Sequence, residues 1–276
     1  MSVRTNTTTP SEVVMNTQAI SATSRTQETL ARSALYELLS AAFLYPEKGR
    51  AAALAGGVPR LQAACLALGW QPLAEALAEL ERRLAGLDDL DLERQYIAVF
   101  GHTISGDCPP YETEYDNAHV FQKSQTLAGL GAYCQAFGVQ VNPKIKERPD
   151  HISVELGLMN LLALKEAYAE LQHHGDDKAL ICRQAQEAFL SQHLAHWIRA
   201  FIRRLGQRSG NGSLYASVGQ VLSLHMEQEL ARFRLVDTPT KDMPLDPEET
   251  PETREDDLGC EVCPAEGNLT QGTEDA

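Results

Sequence analysis

No stretch of this chain approaches 18 consecutive apolar residues, so no membrane-spanning segment is expected. No run of Lys and Arg forms the basic patch that would release counterions from phosphate, which argues against a nucleic-acid partner. The first 28 residues are rich in Thr and Ser, carry Arg4 and Arg25 and hold no apolar core segment, so no signal peptide is expected. There is no Gly-rich phosphate loop before a helix, no G-x-S-x-G and no paired nucleophile and base, so no enzyme is read from the residues. Of six cysteines, Cys65, Cys108, Cys134 and Cys182 are scattered without framework spacing, which suits a reduced cytoplasmic chain better than a disulfide scaffold.

What is present is charge of one sign, unevenly spread. The formal net charge is −14. From Asp237 to Ala276 there are 13 Asp and Glu against Lys241 and Arg254, a balance of −11 that leaves only −3 for the rest of the chain. Such a protein favours a basic partner. Residues 1–25 read as a disordered polar head and residues 237–276 as a disordered acidic tail, because neither can bury enough apolar area to offset chain entropy. The span between, 26–236, of roughly 210 residues, can bury about 70% of its surface and needs neither metal nor disulfides to fold.

Within 26–236 the apolar residues recur at helical spacing. Leu30, Ala34, Leu35, Leu38, Leu39, Ala42 and Phe43 form one stripe, predicting a helix from about Thr26 to Tyr45 that Pro46 stops. Short helices are expected at 49–55 and 59–68, separated by Gly56-Gly57, then one from Pro72 to about Leu87 and one over 92–100 with Asp88 or Asp89 as cap. After a loop, 101–115, helices are expected over 116–137, 150–173, 176–192, 193–205 and 213–233, with a second loop at 138–149. The stretch ISVELGLMNLLAL, Ile152 to Leu164, is apolar nearly all round and marks a central buried helix. No convincing alternating strand is found, so the expected fold is all-α, an irregular multi-helix bundle with two long loops.

Those loops hold the candidate site. In CPPYETEY, Pro109 and Pro110 stiffen the backbone, Tyr111 and Tyr115 offer flat amphipathic surfaces, and Glu112, Glu114 and Asp116 add carboxylates. That combination suits a peptide with apolar and Arg side chains; a rigid surface loop leading into a helix is the plainer reading. In ERPDHISVE, Asp150 is expected to cap the central helix, and His151 and Glu155 lie one turn apart. Glu155 is the only charge among thirteen residues and needs a partner if buried, either His151 or an Arg from another helix. A helical metal-binding protein or enzyme is one alternative. Di-iron bundles use a pair of Glu-x-x-His motifs with further Glu, and that pair is missing; His151/Glu155 and His225/Glu229 are at i, i+4 spacing more usual for ion pairs. Cys260-x-x-Cys263 in the tail is half a zinc site at most, a weak metal candidate. A helical scaffold or regulatory protein is the remaining alternative.

Several segments together resemble the TorD/DmsD/NarJ chaperones: Leu44-Tyr45-Pro46 closing an aromatic-rich first helix, YIAVFG from Tyr96 to Gly101 followed by Pro109-Pro110-Tyr111-Glu112, Arg148-Pro149-Asp150-His151 followed by Glu155-Leu156 and Met159, and FLSQHLAHWIRAFIRRL from Phe189 to Leu205. The resemblance covers roughly residues 30–235. The family commonly shows Glu-Phe-Met where this chain has Glu155-Leu156-Gly157-Leu158-Met159. The Pro-Pro-Tyr-Glu-Thr-Glu-Tyr form and the cysteine-bearing tail look most like the branch serving type II dimethyl sulfoxide reductase family enzymes. The resemblance implies a cytoplasmic, non-enzymatic chaperone without a cofactor of its own. Its partner would be a molybdenum-containing catalytic subunit, bound through a twin-arginine signal peptide or the mature part until the subunit's cofactor is inserted and export is allowed. It implies that Pro109, Pro110, Tyr111, Glu112, Tyr115, Asp150, His151 and Glu155 contact the client. Monomer and domain-swapped dimer both stay open, as does direct binding of pterin or nucleotide.

Overall fold

The computed structural model describes residues 10–101, 106–115, 120–139, 147–172 and 176–242, with side chains described from Ser24 onward except at 120–122 and 176. Among the described residues the chain is helical with no strand: α1 (Pro10–Ala42), α2 (Arg50–Ala67), α3 (Gln71–Leu84), α4 (Asp89–Phe100), α5 (Val120–Ala136), α6 (Ile152–Leu171), α7 (Asp176–Phe189), α8 (Ala195–Arg208) and α9 (Leu214–Arg232). A 3₁₀ turn, Glu112–Tyr115, lies in the first loop. The all-α expectation is met. Cys260, Cys263 and most of the acidic tail lie outside the described residues, as do residues 1–9 of the head.

The apolar stripe of α1 packs along α6, and α6 along α7, while α2, α3 and α9 close one side and α8 lies against α9. Leu35, Tyr36 and Leu39 of α1 and Phe43 just past its end meet Ile152, Leu156, Met159 and Leu162 of α6 and Phe201, Tyr215 and Leu222 of α8 and α9 in one core. Each such side chain contributes about 1.5–3 kcal/mol relative to exposure. Leu156, Leu158 and Met159 are all buried, so the two residues separating Leu156 from Met159 stay within one continuous helix.

Some boundaries differ from those expected. The backbone of α1 begins at Pro10, since proline is compatible with the first helical turn, although its described side chains become buried only from Thr26. The two short helices expected at 49–55 and 59–68 are one helix, α2, running through Gly56, Gly57 and Pro59. Its buried face, Leu54, Val58, Leu61 and Cys65, outweighs the local breakers. Its start is held from another helix: the Asp89 carboxylate accepts from the Gly49 and Ala51 amides at 2.6 and 2.9 Å, while Asp88 caps α4 through the Asp91 amide at 2.8 Å. The helices expected at 176–192 and 193–205 are joined by a π turn, Leu190–Leu194. The first residues of the expected tail, 237–242, lie along α8. Arg199 donates to the carbonyls of Val236 and Thr238, Arg203 and Arg204 pair with Asp242, and the Lys241 amide donates to the His196 carbonyl at 2.7 Å.

A buried polar network crosses the bundle. Arg32 of α1 donates from Nε and Nη2 to both Glu229 oxygens of α9 at 2.5 Å and from Nη2 to Gln186 of α7 at 2.7 Å; its Nη1 lies 3.5 Å from Glu166 of α6. Tyr36 donates to Glu229, and Gln186 and Arg183 donate to Glu166. Burial alone would raise the Glu229 carboxyl, but Arg32 holds it below the usual carboxylate range.

Candidate functional site

The two loops expected to carry the site meet at a short antiparallel bridge between Tyr111 and His151. The Glu112 amide donates to the Asp150 carbonyl at 2.9 Å, and the Ile152 amide to the Pro110 carbonyl at 2.8 Å. Pro110 has no amide donor to leave unpaired there, which suits it to an edge of this kind. Side chains strengthen the junction. Asp150, fully buried, accepts from the Thr113 hydroxyl at 2.8 Å and from its amide at 3.3 Å. Arg148 reaches the same carboxylate with two prongs, Nε to Oδ1 at 2.9 Å and Nη2 to Oδ2 at 2.7 Å, and also donates from Nη2 to the Thr113 hydroxyl at 2.6 Å.

Asp150 is therefore not the cap of α6, as expected, because its oxygens are taken up by the first loop and Arg148. His151 caps the helix instead: its Nδ1 accepts from the Ser153 amide at 3.1 Å. Burial, and next Arg148, push the imidazole down to about 3, so it is neutral with its proton on Nε2. That buried N–H has no hydrogen-bond partner; the nearest carboxylate oxygen, on Glu147, is 3.8 Å away. The Tyr111 ring packs edge-on against His151 at 5.1 Å, and its hydroxyl donates to Glu147 at 3.3 Å.

Glu155 pairs with neither His151 nor an arginine. Its Oε2 accepts from the Trp197 indole of α8 at 3.3 Å, and its Oε1 is buried without a partner. Burial, then the neighbouring Glu112 carboxylate, push the Glu155 carboxyl well above its usual range, which favours its neutral form. Glu112 in turn faces His193, whose Nδ1 lies 3.0 Å from its Oε2. His193 sits in the π turn, a bulge that re-aims the side chains it carries.

Residues 69–203, which include both loops, match the family model described as nitrate reductase delta subunit. The chain is 27% identical over 162 residues to the chaperone protein TorD of Vibrio cholerae, covering 57% of this chain and 68% of that protein. It is 30% identical over 142 residues to the selenate reductase assembly chaperone protein of Thauera selenatis, covering 51% of this chain and 70% of that protein. The chain belongs to the TorD/DmsD/NarJ family of molybdoenzyme maturation chaperones.

In this chaperone the named site residues divide by exposure. Tyr111, Glu112 and Glu114 are half-buried at the surface, whereas Pro109, Pro110, Tyr115, Asp150, His151 and Glu155 lie inside. Tyr115 is a core residue: its hydroxyl donates to the Pro109 carbonyl at 3.0 Å, and its ring lies between Trp197 and the Arg204 guanidinium, 4.6 Å from the latter. Sequence reasoning missed Arg148, Thr113, Glu147, His193 and Trp197. Arg148 and Glu147 stood beside the Asp-His pair, and their spacing alone carried a signal. His193 lies 81 positions from Glu112 and Trp197 lies 42 from Glu155, so nothing local marked them. A larger concavity, about 850 Å³, lies between α1 and α2, lined by Leu30, Ala34, Leu38, Leu54 and Leu61 with Arg50 and Arg60, and none of the loop residues reaches it. Among the described residues no three His, Cys, Asp or Glu side chains converge as a metal site, and no helix is long and apolar enough to cross a membrane.

Proposed function

We propose that the protein is a cytoplasmic, non-catalytic chaperone. It binds the molybdenum-containing catalytic subunit of an oxidoreductase of the type II dimethyl sulfoxide reductase branch, and holds it through cofactor insertion until export. The observation that carries this reading is that the two segments resembling the family's motifs, 109–115 and 148–151, join at one bridge beside a half-exposed Tyr111, with the Glu147 and Glu114 carboxylates close by. A basic client segment, such as a twin-arginine signal peptide, is drawn to such a surface. One exposed ion pair contributes little, but several converging ones with a stacked ring contribute more. Membership in a family that includes a selenate reductase assembly chaperone supports the client class.

The test is capture of the tagged full-length chain from its native host under conditions that induce molybdoenzymes. A co-purifying large subunit that carries molybdenum in its mature form is expected, along with loss of that enzyme's activity when the chaperone is deleted. Normal maturation in the deletion strain, with no such subunit captured, would sink the reading. Titration of the client's leader peptide against its mature part then decides which portion is held.

A further inference from the structure

Arg148 is the group at this surface whose surroundings are matched to a guanidinium. Its guanidinium lies over the Tyr111 ring, 4.7 Å from ring centroid to Cζ. Its fork is matched to the Asp150 carboxylate, and Thr113 accepts a third bond. The Glu114 carboxylate stands 3.7 Å away at the rim. An aromatic face, a bidentate carboxylate and an added hydroxyl acceptor are the elements that distinguish a guanidinium from an ammonium.

The walls do not depend on the occupant. The Tyr111–His151 bridge and the Thr113 hydroxyl and amide bonds to Asp150 fasten the two loops without Arg148. The carboxylate at the floor is 0% exposed, while the arginine that fills the pocket is 32% exposed and reaches in from the solvent side. Outside it, Glu114 and Glu147 give the rim a negative character that only Lys123, 3.4 Å from Glu114, offsets among the described contacts.

We infer that this is an arginine-recognition pocket, filled in the free protein by the chain's own Arg148, and that an arginine side chain of a bound extended peptide takes its place. Arg148 then acts as a built-in competitor that lowers affinity for any peptide lacking a well-placed arginine. The identity of the peptide as a client segment rests on the function proposed above; the pocket itself does not.

Two probes test the pocket. In Arg148→Ala the melting temperature is expected to fall and to recover saturably on adding methylguanidinium, but not methylammonium at the same ionic strength, with wild type unresponsive to both. The variant should also bind a synthetic peptide containing two adjacent arginines about tenfold more tightly than wild type, since the competing state is removed, with no gain for the dilysine peptide. Equal recovery with methylammonium, or no gain in affinity for the diarginine peptide, overturns the inference. Should Arg148→Ala not fold, nitrogen-15 spectra of wild type decide. The Arg148 Nε–H signal should move to the position of a free arginine on adding the diarginine peptide, and an unmoved signal in the bound protein overturns the proposal. Because methylguanidinium is not the client, guanidinium rescue without capture of a molybdenum subunit would leave the pocket standing and remove the proposed function. Capture without rescue would do the reverse.

Discussion

Arg32 and Arg148 each set a guanidinium against a fully buried carboxylate, but the surroundings differ. Arg32 is itself buried, and Glu229, Glu166, Gln186 and Tyr36 from four helices close around it. Arg148 has one face to solvent, and its partners come from the two loops. A buried network of the first kind fixes how helices sit against one another, since every donor must find its acceptor or lose a large desolvation energy. The second kind leaves a group that can exchange with another of the same shape. The polar interior of the bundle therefore specifies the fold, and the polar junction of the loops is free to specify a ligand.

Breaking the first cluster should have the largest effect. Arg32→Met leaves Glu229 buried without its main counter-charge and takes the more distant of two guanidinium groups from Glu166, and is expected to cost about 3–5 kcal/mol in urea unfolding. A loss below about 1 kcal/mol would mean the network does not hold the bundle, and the contrast with Arg148 would dissolve. Arg148→Ala should cost less, about 1–2 kcal/mol after allowing for solvent screening of a one-third exposed side chain, while altering peptide binding as described.

Acid sharpens the comparison further. His225 lies fully buried in the bundle with neither ring nitrogen hydrogen-bonded, its ring 4.4 Å from Tyr36 of α1, and Glu229 and Arg32 nearby. Burial is the main cause that lowers its imidazole to about 4, and His151 at the loop junction is lowered to about 3. Both folded values lie below the unfolded value near 6.5, so the unfolded chain takes up protons first. Stability is complete above about pH 6.5 and is lost as pH falls toward the folded values. His225→Phe keeps the ring contact and removes the titration. It should regain about 1.4 kcal/mol at pH 5.5 relative to its effect at pH 8, as read from paired urea curves. An equal effect at both pH values would show that His225 does not titrate in this way.

The smallest expected effect is at Glu155. Its folded carboxyl titrates above its unfolded value, so stability is complete below about pH 4.5 and is lost as pH rises through the window up to the folded value. Glu155→Gln keeps an acceptor for Trp197 and should raise stability at pH 7 by about 1 kcal/mol, a gain limited because the amide's own N–H donors enter a site with an unpartnered oxygen. The gain should vanish near pH 4.5. A destabilised Glu155→Gln at pH 7 would mean the carboxyl is needed ionised, and would move it from the interior cluster to the functional one.

Much of the helical order was readable in advance. The stripe of α1, the apolar run of α6 and the punctuation by Pro46 and Pro72 each reflect a period or a missing amide that belongs to the chain itself. Where reading failed, a tertiary contact had overruled a local signal. Gly56, Gly57 and Pro59 mark a break by propensity, yet the buried face of α2 carries the helix through them. The end of α7 looked like a boundary and is a π turn, which carries His193, in contact with Glu112 across 81 positions. Asp150 has the chemistry of a cap, but Thr113 and Arg148 engage it and His151 caps instead.

The amino-acid sequence by itself determined that this protein is helical, that its charge is gathered toward one end, and which two loops carry the family's motifs, since periodicity, composition and residue order are properties of the chain. Only the tertiary structure decided which of those loop residues remain available. Seen as residue types, Tyr111 and Tyr115 are equivalent, as are Glu112, Asp150 and Glu155. Packing turns Tyr115 and Asp150 inward, raises the Glu155 carboxyl's affinity for its proton and leaves Tyr111 at the surface with Arg148 upon it. The physical reason is that a side chain's protonation, partner and exposure depend on the groups that distant segments bring to it, and a linear sequence does not specify those distances.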